Sequence, residues 1–182
     1  MTKHDIRRQV RQSWRDLSSS GIIPDFAGFW GEVELREEFS RARTVLIYMG
    51  IHGEIPTEEV IQRWCGSKRM AVPRVAGEKL ELRLYEAGKL VPGYRGIMEP
   101  SDDAEIIPAG EIDLAIVPGM AFSRDGDSVL RLGRGGGFYD RLLPDLDCPK
   151  IGVCLDFQVY DYLPVDEWDA SLDDLIVCPS GQ

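Results

Sequence analysis

The sequence predicts an α/β layer fold with a largely parallel central sheet flanked by helices. Three observations carry that reading. Short apolar runs recur at 44–49, 113–119, 150–157 and 171–179, the mark of strands buried on both faces. Segments with helical period or helix-start signals stand between them and ahead of them, at 3–17, 57–65 and 138–143. The 182 residues, 43% hydrophobic and 29% charged, suit one ordinary globular domain spanning 1–182.

Taken in order, Ile6, Val10, Trp14 and Leu17 fall on one helical face, with Lys3, Arg7, Arg8, Arg11 and Arg15 on the others. Gly21 and Pro24 end that helix, and residues 26–39 form a second, less regular one. The run 44–49 (TVLIYM) is a buried strand. After a loop with Gly53 and Pro56, Thr57 is placed to cap a helix whose first turn carries Glu58 and Glu59. Residues 70–75 read as a strand that Pro73 pushes toward an edge or a strand end. In 79–86, Leu80, Leu82 and Leu84 alternate with charges, the period of a half-exposed strand. A polar, Gly/Pro-marked crossing follows, then strands at 113–119, 150–157 and 171–179. In such folds ligands gather beyond the carboxyl ends of the strands, so loops 49–57, 118–140 and 156–169 are expected to converge.

Composition excludes several classes. No apolar run reaches the roughly 18–20 residues of a membrane helix. The first residues, MTKHDIRRQVRQSW, lack the apolar core of a secretory signal, so the expected location is the cytoplasm. Cys65, Cys148, Cys154 and Cys178 show no C-x-x-C pair or zinc spacing, and three of them sit in apolar runs as small hydrophobes. A net charge of −10 speaks against general nucleic-acid binding. Positive charge is instead concentrated at 3–15 and 124–141. No long heptad pattern suggests an obligate coiled-coil dimer, so a monomer is expected.

The segment 131–141, RLGRGGGFYDR, carries the chemistry. Gly133, Gly135, Gly136 and Gly137 allow backbone N–H groups to turn toward one point, a concavity suited to phosphate oxygens. Arg131 and Arg134 add forked donors, and FYDRLL reads as a helix start whose free N–H groups favour an anion. Asp140 sits well beside a phosphate only if a divalent cation lies between them. The pattern is neither a Walker A loop, which needs Gly-Lys-Ser/Thr, nor a dinucleotide fingerprint, whose third glycine position holds Phe138.

The order of these pieces resembles the 5-formyltetrahydrofolate cyclo-ligase (methenyltetrahydrofolate synthetase) family. Lys3-x-x-Ile6-Arg7 is similar to the family's Lys-x-x-Leu-Arg, and YMGIHGEIPTEEVI (48–61) to its strand, Glu-Ile-x-Thr and helix. IMEP (97–100) and DLAIVPGMAF (113–122) precede RLGRGGGFYDR, which matches the family's RLGRG-x-G-Tyr-Tyr-Asp-Arg signature. Gln158, Pro164 and Asp169 match scattered later positions. The likeness covers most of the chain and implies a layered fold of the NagB/RpiA/CoA-transferase-like kind.

It also implies an activity: Mg·ATP converts 5-formyltetrahydrofolate into 5,10-methenyltetrahydrofolate through a phosphorylated formyl group, releasing ADP and phosphate. By the resemblance, Lys3, Arg7, Arg131, Gly133, Arg134, Gly135, Gly136, Gly137, Phe138 and Tyr139 contact ATP, and Asp140 and Asp169 hold Mg²⁺. Met49 and Glu54 contact the folate, with residues 134–138 shared by both ligands, and Arg134 and Tyr139 serve the reaction itself. On composition alone, Met49 is core packing and Asp169 a surface acid. The chain departs from the family in four places. Gly136 stands where some members carry Lys, Ser123 where Asp is common, and Trp168 where His or Asn precedes the last acid. The lead-in 125–133 is about three residues longer, a small cost in loop closure. Two other readings stay open: a sugar-phosphate isomerase using Glu54 as base, and a non-catalytic nucleotide- or folate-binding relative.

Overall fold

The computed structural model describes residues 1–181. Helix α1 (Lys3–Ser20) starts at a reciprocal capping box: the Asp5 N–H donates to Thr2 Oγ1, and the Thr2 N–H donates to the Asp5 carboxylate. It stops at Gly21, which takes φ 75°. Its buried residues are Ile6, Val10, Trp14 and Leu17, the face read from the period. The run 26–39 is two helices rather than one. Helix α2 (Phe26–Glu34) is capped by Asp25, and α3 (Glu37–Arg41) follows once Arg36 turns to extended backbone.

Strand β1 (Thr44–Ile47) leads to α4 (Glu58–Trp64), and β2 (Arg69–Ala76) turns back into β3 (Lys79–Leu84). The crossing at 90–112 holds structure that its composition hid. Strands β4 (Leu90–Pro92) and β5 (Met98–Pro100) pair as a small hairpin. Next come β6 (Leu114–Val117), the hairpin β7 (Ala121–Asp125) and β8 (Ser128–Leu132), the short helix α5 (Phe138–Leu142), β9 (Lys150–Leu155) and β10 (Asp174–Cys178).

The main sheet runs β10-β9-β6-β1-β2-β3, parallel throughout except for the antiparallel edge strand β3. Its centre is buried on both sides, which is why β1 and β6 read as unbroken apolar runs. Val45, Ile47, Leu114 and Ile116 join the core under α1, α2 and α4. Leu46, Ala115 and Val117 join the opposite core with Phe122 and Leu142. Pro73 lies in an interior strand, but beyond Ala71, where the β1 ladder ends, so its missing N–H breaks no pairing there. The half-exposed pattern of β3 holds only in part: Leu82 is buried, whereas Leu80 and Leu84 are partly covered. Thr57 stands at the start of α4 but does not cap it. Its hydroxyl donates to the Tyr48 carbonyl and accepts from the Gly50 N–H, bracing the loop after β1.

Candidate active site

Strand β8 ends by delivering the tetraglycine segment to the carboxyl edge of the sheet. Gly135 and Gly137 take φ of 104° and 65°, a region that L side chains rarely adopt, so glycine is required to make this bend. Arg7 on α1 pins it: Nε donates to the Gly133 carbonyl at 2.8 Å. Helix α5 is a single turn that starts at Gly137. The anion-favouring helix start expected at 138 is therefore a few free N–H groups rather than a long dipole.

Cavities flank the bend on both sides and share it as a wall. One, of about 480 Å³, lies between the bend, α1 and the segment 166–169. The charged groups lining it are Lys3, Arg7 and Arg141 against Asp140, Asp166 and Asp169. The other, of about 570 Å³, lies between the bend, the loop after β1 and the tip of the β4–β5 hairpin. Its lining is largely apolar, including Met49, Ile51, Val75, Leu80 and Phe138. The three loops expected to converge thus meet in pairs: 118–140 with 156–169 in the first cavity, and 118–140 with 49–57 in the second.

Among the residues singled out from the sequence, Lys3, Arg7, Asp140 and Asp169 line the first cavity, and Met49, Glu54, Arg134, Phe138 and Tyr139 the second. Gly133, Gly135, Gly136, Gly137 and Asp140 border both. The Lys3 ammonium bridges Asp166, at 2.7 Å, and Asp169. Partial burial lowers its pKa, but hydrogen bonds to the two carboxylates outweigh that and raise it overall.

Two arginines are oriented differently from expectation. The sequence predicts a phosphate ligand at Arg131, yet its side chain is 3% exposed and turned inward. Nη2 donates to Asp140 at 2.7 Å and Nη1 to the Pro118 carbonyl at 3.3 Å. It therefore holds an acid in place instead of reaching into the first cavity. Arg134 faces the second cavity alone, where Nε donates to Glu54 at 2.8 Å and Nη2 to the His52 carbonyl.

The Tyr139 hydroxyl is buried with no hydrogen-bond partner. Burial, with a smaller contribution from the Glu54 charge, holds its pKa far above the usual phenol value, so it is a neutral donor. A buried donor left unpaired costs free energy unless a ligand accepts from it.

Among the described residues no three His, Cys, Asp or Glu side chains form a ready-made metal cage. A magnesium ion carried by a nucleotide does not need one, since phosphates and water fill most of its octahedron. Asp140 and Asp169 line one cavity, and each keeps an oxygen, Asp140 Oδ2 and Asp169 Oδ1, to which no described group donates. These free carboxylate oxygens would repel a phosphate placed directly against them, so a divalent cation between them fits this donor set.

The sequence reading missed Asp166, which shares Lys3 with Asp169, and Arg141, whose guanidinium donates to the Gly136 carbonyl. It also missed the hairpin tip, where Tyr94 packs edge-on against Phe138 with centroids 5.7 Å apart. Asp166 lies close in sequence to the matched acid Asp169, and Arg141 directly follows Asp140, which was the available signal. Nothing local marked Tyr94.

Comparison with known proteins identifies the family and the fold. The family model described as the 5-formyltetrahydrofolate cyclo-ligase family matches residues 1–178. The 5-formyltetrahydrofolate cyclo-ligase of Escherichia coli K12 is 36% identical over 148 residues, covering 76% of this chain and 79% of its own length. The mouse protein of the same name is 25% identical over 190 residues, covering 96% and 92%. The solution structure of Aquifex aeolicus 5,10-methenyltetrahydrofolate synthetase superposes with a TM-score of 0.83 at 29% identity, over 100% of this chain and 91% of that one.

Proposed function

The chain belongs to the 5-formyltetrahydrofolate cyclo-ligase family, an ATP-dependent ligase family of one-carbon metabolism, and on that footing we propose how its cavities divide the work. ATP takes the charged cavity with its triphosphate along the glycine bend, and 5-formyltetrahydrofolate takes the apolar one. The observation that carries this reading is the shared wall: Gly133, Gly135, Gly136 and Gly137 border both cavities, so a γ-phosphate and a formyl oxygen can meet across it.

An amide oxygen is a poor leaving group, and phosphorylation makes it a good one. The formyl oxygen attacks the γ-phosphorus, the bond to ADP breaks, and an N5-iminium phosphate forms. N10 then attacks the activated carbon and gives up its proton, and the C–O bond breaks with release of inorganic phosphate. The protein supplies position and charge rather than a covalent nucleophile. Bend N–H groups and Arg7 hold phosphate oxygens, while Phe138, Met49 and the Arg134–Glu54 pair frame the pterin and its formyl group. Tyr139 offers its neutral hydroxyl as a donor within the folate cavity. Asp140 and Asp169 would hold Mg²⁺, which when bound offsets charge on the transferring phosphoryl. Lys3, bridging Asp166 and Asp169 on the wall of the same cavity, adds a positive charge beside the acids that would hold the metal.

The test mixes the protein with 5-formyltetrahydrofolate, ATP and Mg²⁺ and follows the methenyl chromophore and ADP together. Equal amounts of both products are expected. Binding of both ligands without either product would leave a non-catalytic relative.

A further inference from the structure

The hairpin tip that closes the folate cavity contains a carboxylate without a task in the proposed reaction. Glu99 on β5 is 4% exposed, yet it lines this cavity. Oε1 accepts from the Tyr94 N–H at 3.2 Å and the Val75 N–H at 3.4 Å, which ties the tip to β2. The space it occupies is reserved. A Cβ added to Gly93 would lie 2.1 Å from Oε2 and 2.2 Å from the carboxyl carbon. Oε2 accepts from no described group, and no described cation pairs with the carboxylate. Of the guanidiniums lining the cavity, those of Arg131 and Arg134 are committed to Asp140 and Glu54, and that of Arg95 lies over the Tyr94 ring.

Fastening the tip does not require a charge, because a glutamine in the same pose would accept the same two N–H groups. A buried carboxylate lacking a cation is unfavourable, and the cost is repaid only when donors reach its free oxygen. Glu54, the acid first expected to read the pterin, already takes Arg134 on Oε1 and the Ile51 N–H on Oε2. Asp140 also keeps a free oxygen on this cavity, but it is the acid assigned to Mg²⁺, which leaves Glu99 as the carboxylate with a free oxygen and no assigned role.

We infer that Glu99 is a second substrate-reading residue, its Oε2 accepting hydrogen bonds from the donor edge of the reduced pterin, the exocyclic 2-amino group and the adjacent ring N–H. This rests on the folate reading of the cavity. It makes Glu99 a specificity determinant for 2-amino-4-oxo pteridines.

The experiment compares wild type with Glu99→Gln, which retains the acceptor for Tyr94 and Val75, by calorimetric titration with 5-formyltetrahydrofolate, with its analogue lacking the 2-amino group, and with Mg·ATP. Glu99→Gln should weaken 5-formyltetrahydrofolate by about tenfold or more, the scale of a hydrogen bond to a charged group, while Mg·ATP affinity is unchanged. Wild type should lose a similar factor with the deaminated analogue, and the variant should lose little beyond that. Unaltered folate affinity in Glu99→Gln would leave Glu99 a fastening of the tip and overturn the inference, with the cyclo-ligase reading intact. Equal loss of both ligands, or a variant that still discriminates fully against the analogue, would overturn it as well. A wild type that binds no reduced folate would instead remove the reading beneath it.

Discussion

Arg131 holds Asp140 from beneath the glycine bend, Nη2 to Oδ1 at 2.7 Å, so a nearly buried cation orients an acid shared by both cavities. The pair separates stability from turnover. Asp140→Asn keeps an oxygen facing Arg131 but removes the charge that a nucleotide-borne cation needs. It should abolish Mg²⁺-dependent ADP release while folate affinity changes little. Asp140→Ala leaves Arg131 buried without an anion and should in addition destabilise the fold by about 3 kcal/mol. Denaturant melts and single-turnover ADP release on both variants check this. An Asp140→Asn enzyme that loses folate binding and turnover equally would remove the metal role.

Arg134 pairs with Glu54 in the largely apolar cavity, so on the proposed division of the cavities its removal should register on the folate. Arg134→Ala frees the Glu54 carboxylate within a largely apolar cavity and removes a donor from its wall. The KM for 5-formyltetrahydrofolate should rise about tenfold, the scale of a charge-assisted hydrogen bond, with the KM for ATP within about twofold. Initial rates with each substrate varied in turn decide it. A change confined to ATP would place the guanidinium across the bend.

What was legible in the sequence was whatever depends on near neighbours along the chain. The buried face of α1 repeats every three or four residues, and β1 and β6 are apolar throughout because both of their faces are covered. The bend announced itself because positive φ demands glycine at 135 and 137. Side-chain direction was harder to see. Arg131 shares the alternation parity of buried Val129, a signal that it points inward, but its neighbours Leu130 and Leu132 are apolar too and blur the pattern. The β4–β5 hairpin was hidden because three-residue strands leave no period to read. Glu99 could be quoted as part of IMEP, yet its burial follows from Gly93 and Val75, which meet it only in three dimensions.

The cysteines predict an alkaline limit. Cys148 and Cys178 are buried, and desolvation pushes both thiols from 9.0 up to about 11. Between those values the folded chain retains protons that the unfolded chain has released, so stability falls as pH rises from 9 to about 11. Thermal melts across that window should show a falling Tm, and Cys148→Ala should flatten the slope. At about pH 8 iodoacetamide should label exposed Cys65 and spare the other three, read by mass spectrometry.

The bend itself gives the most direct test of two cavities with one wall, because side chains added at adjacent glycines would meet different neighbours. Gly135 holds φ 104° beside Arg7, whose Cζ would lie 3.8 Å from an added Cβ. Gly135→Ala forces an L residue into that region at a cost of about 1–3 kcal/mol, and relief of the strain must move the N–H groups proposed to cradle phosphate. Gly136 lacks a positive φ, but an added Cβ would lie 2.9 Å from the Phe138 ring, which packs against Tyr94 on the wall of the largely apolar cavity. Gly135→Ala should therefore weaken ATP far more than folate, and Gly136→Ala folate more than ATP. Exposed Trp168 lines the charged cavity, so quenching of its fluorescence, controlled with Trp168→Phe, reports nucleotide binding. Calorimetry reports the folate. If both substitutions weaken the two ligands in the same ratio, the bend is not a partition between separate sites.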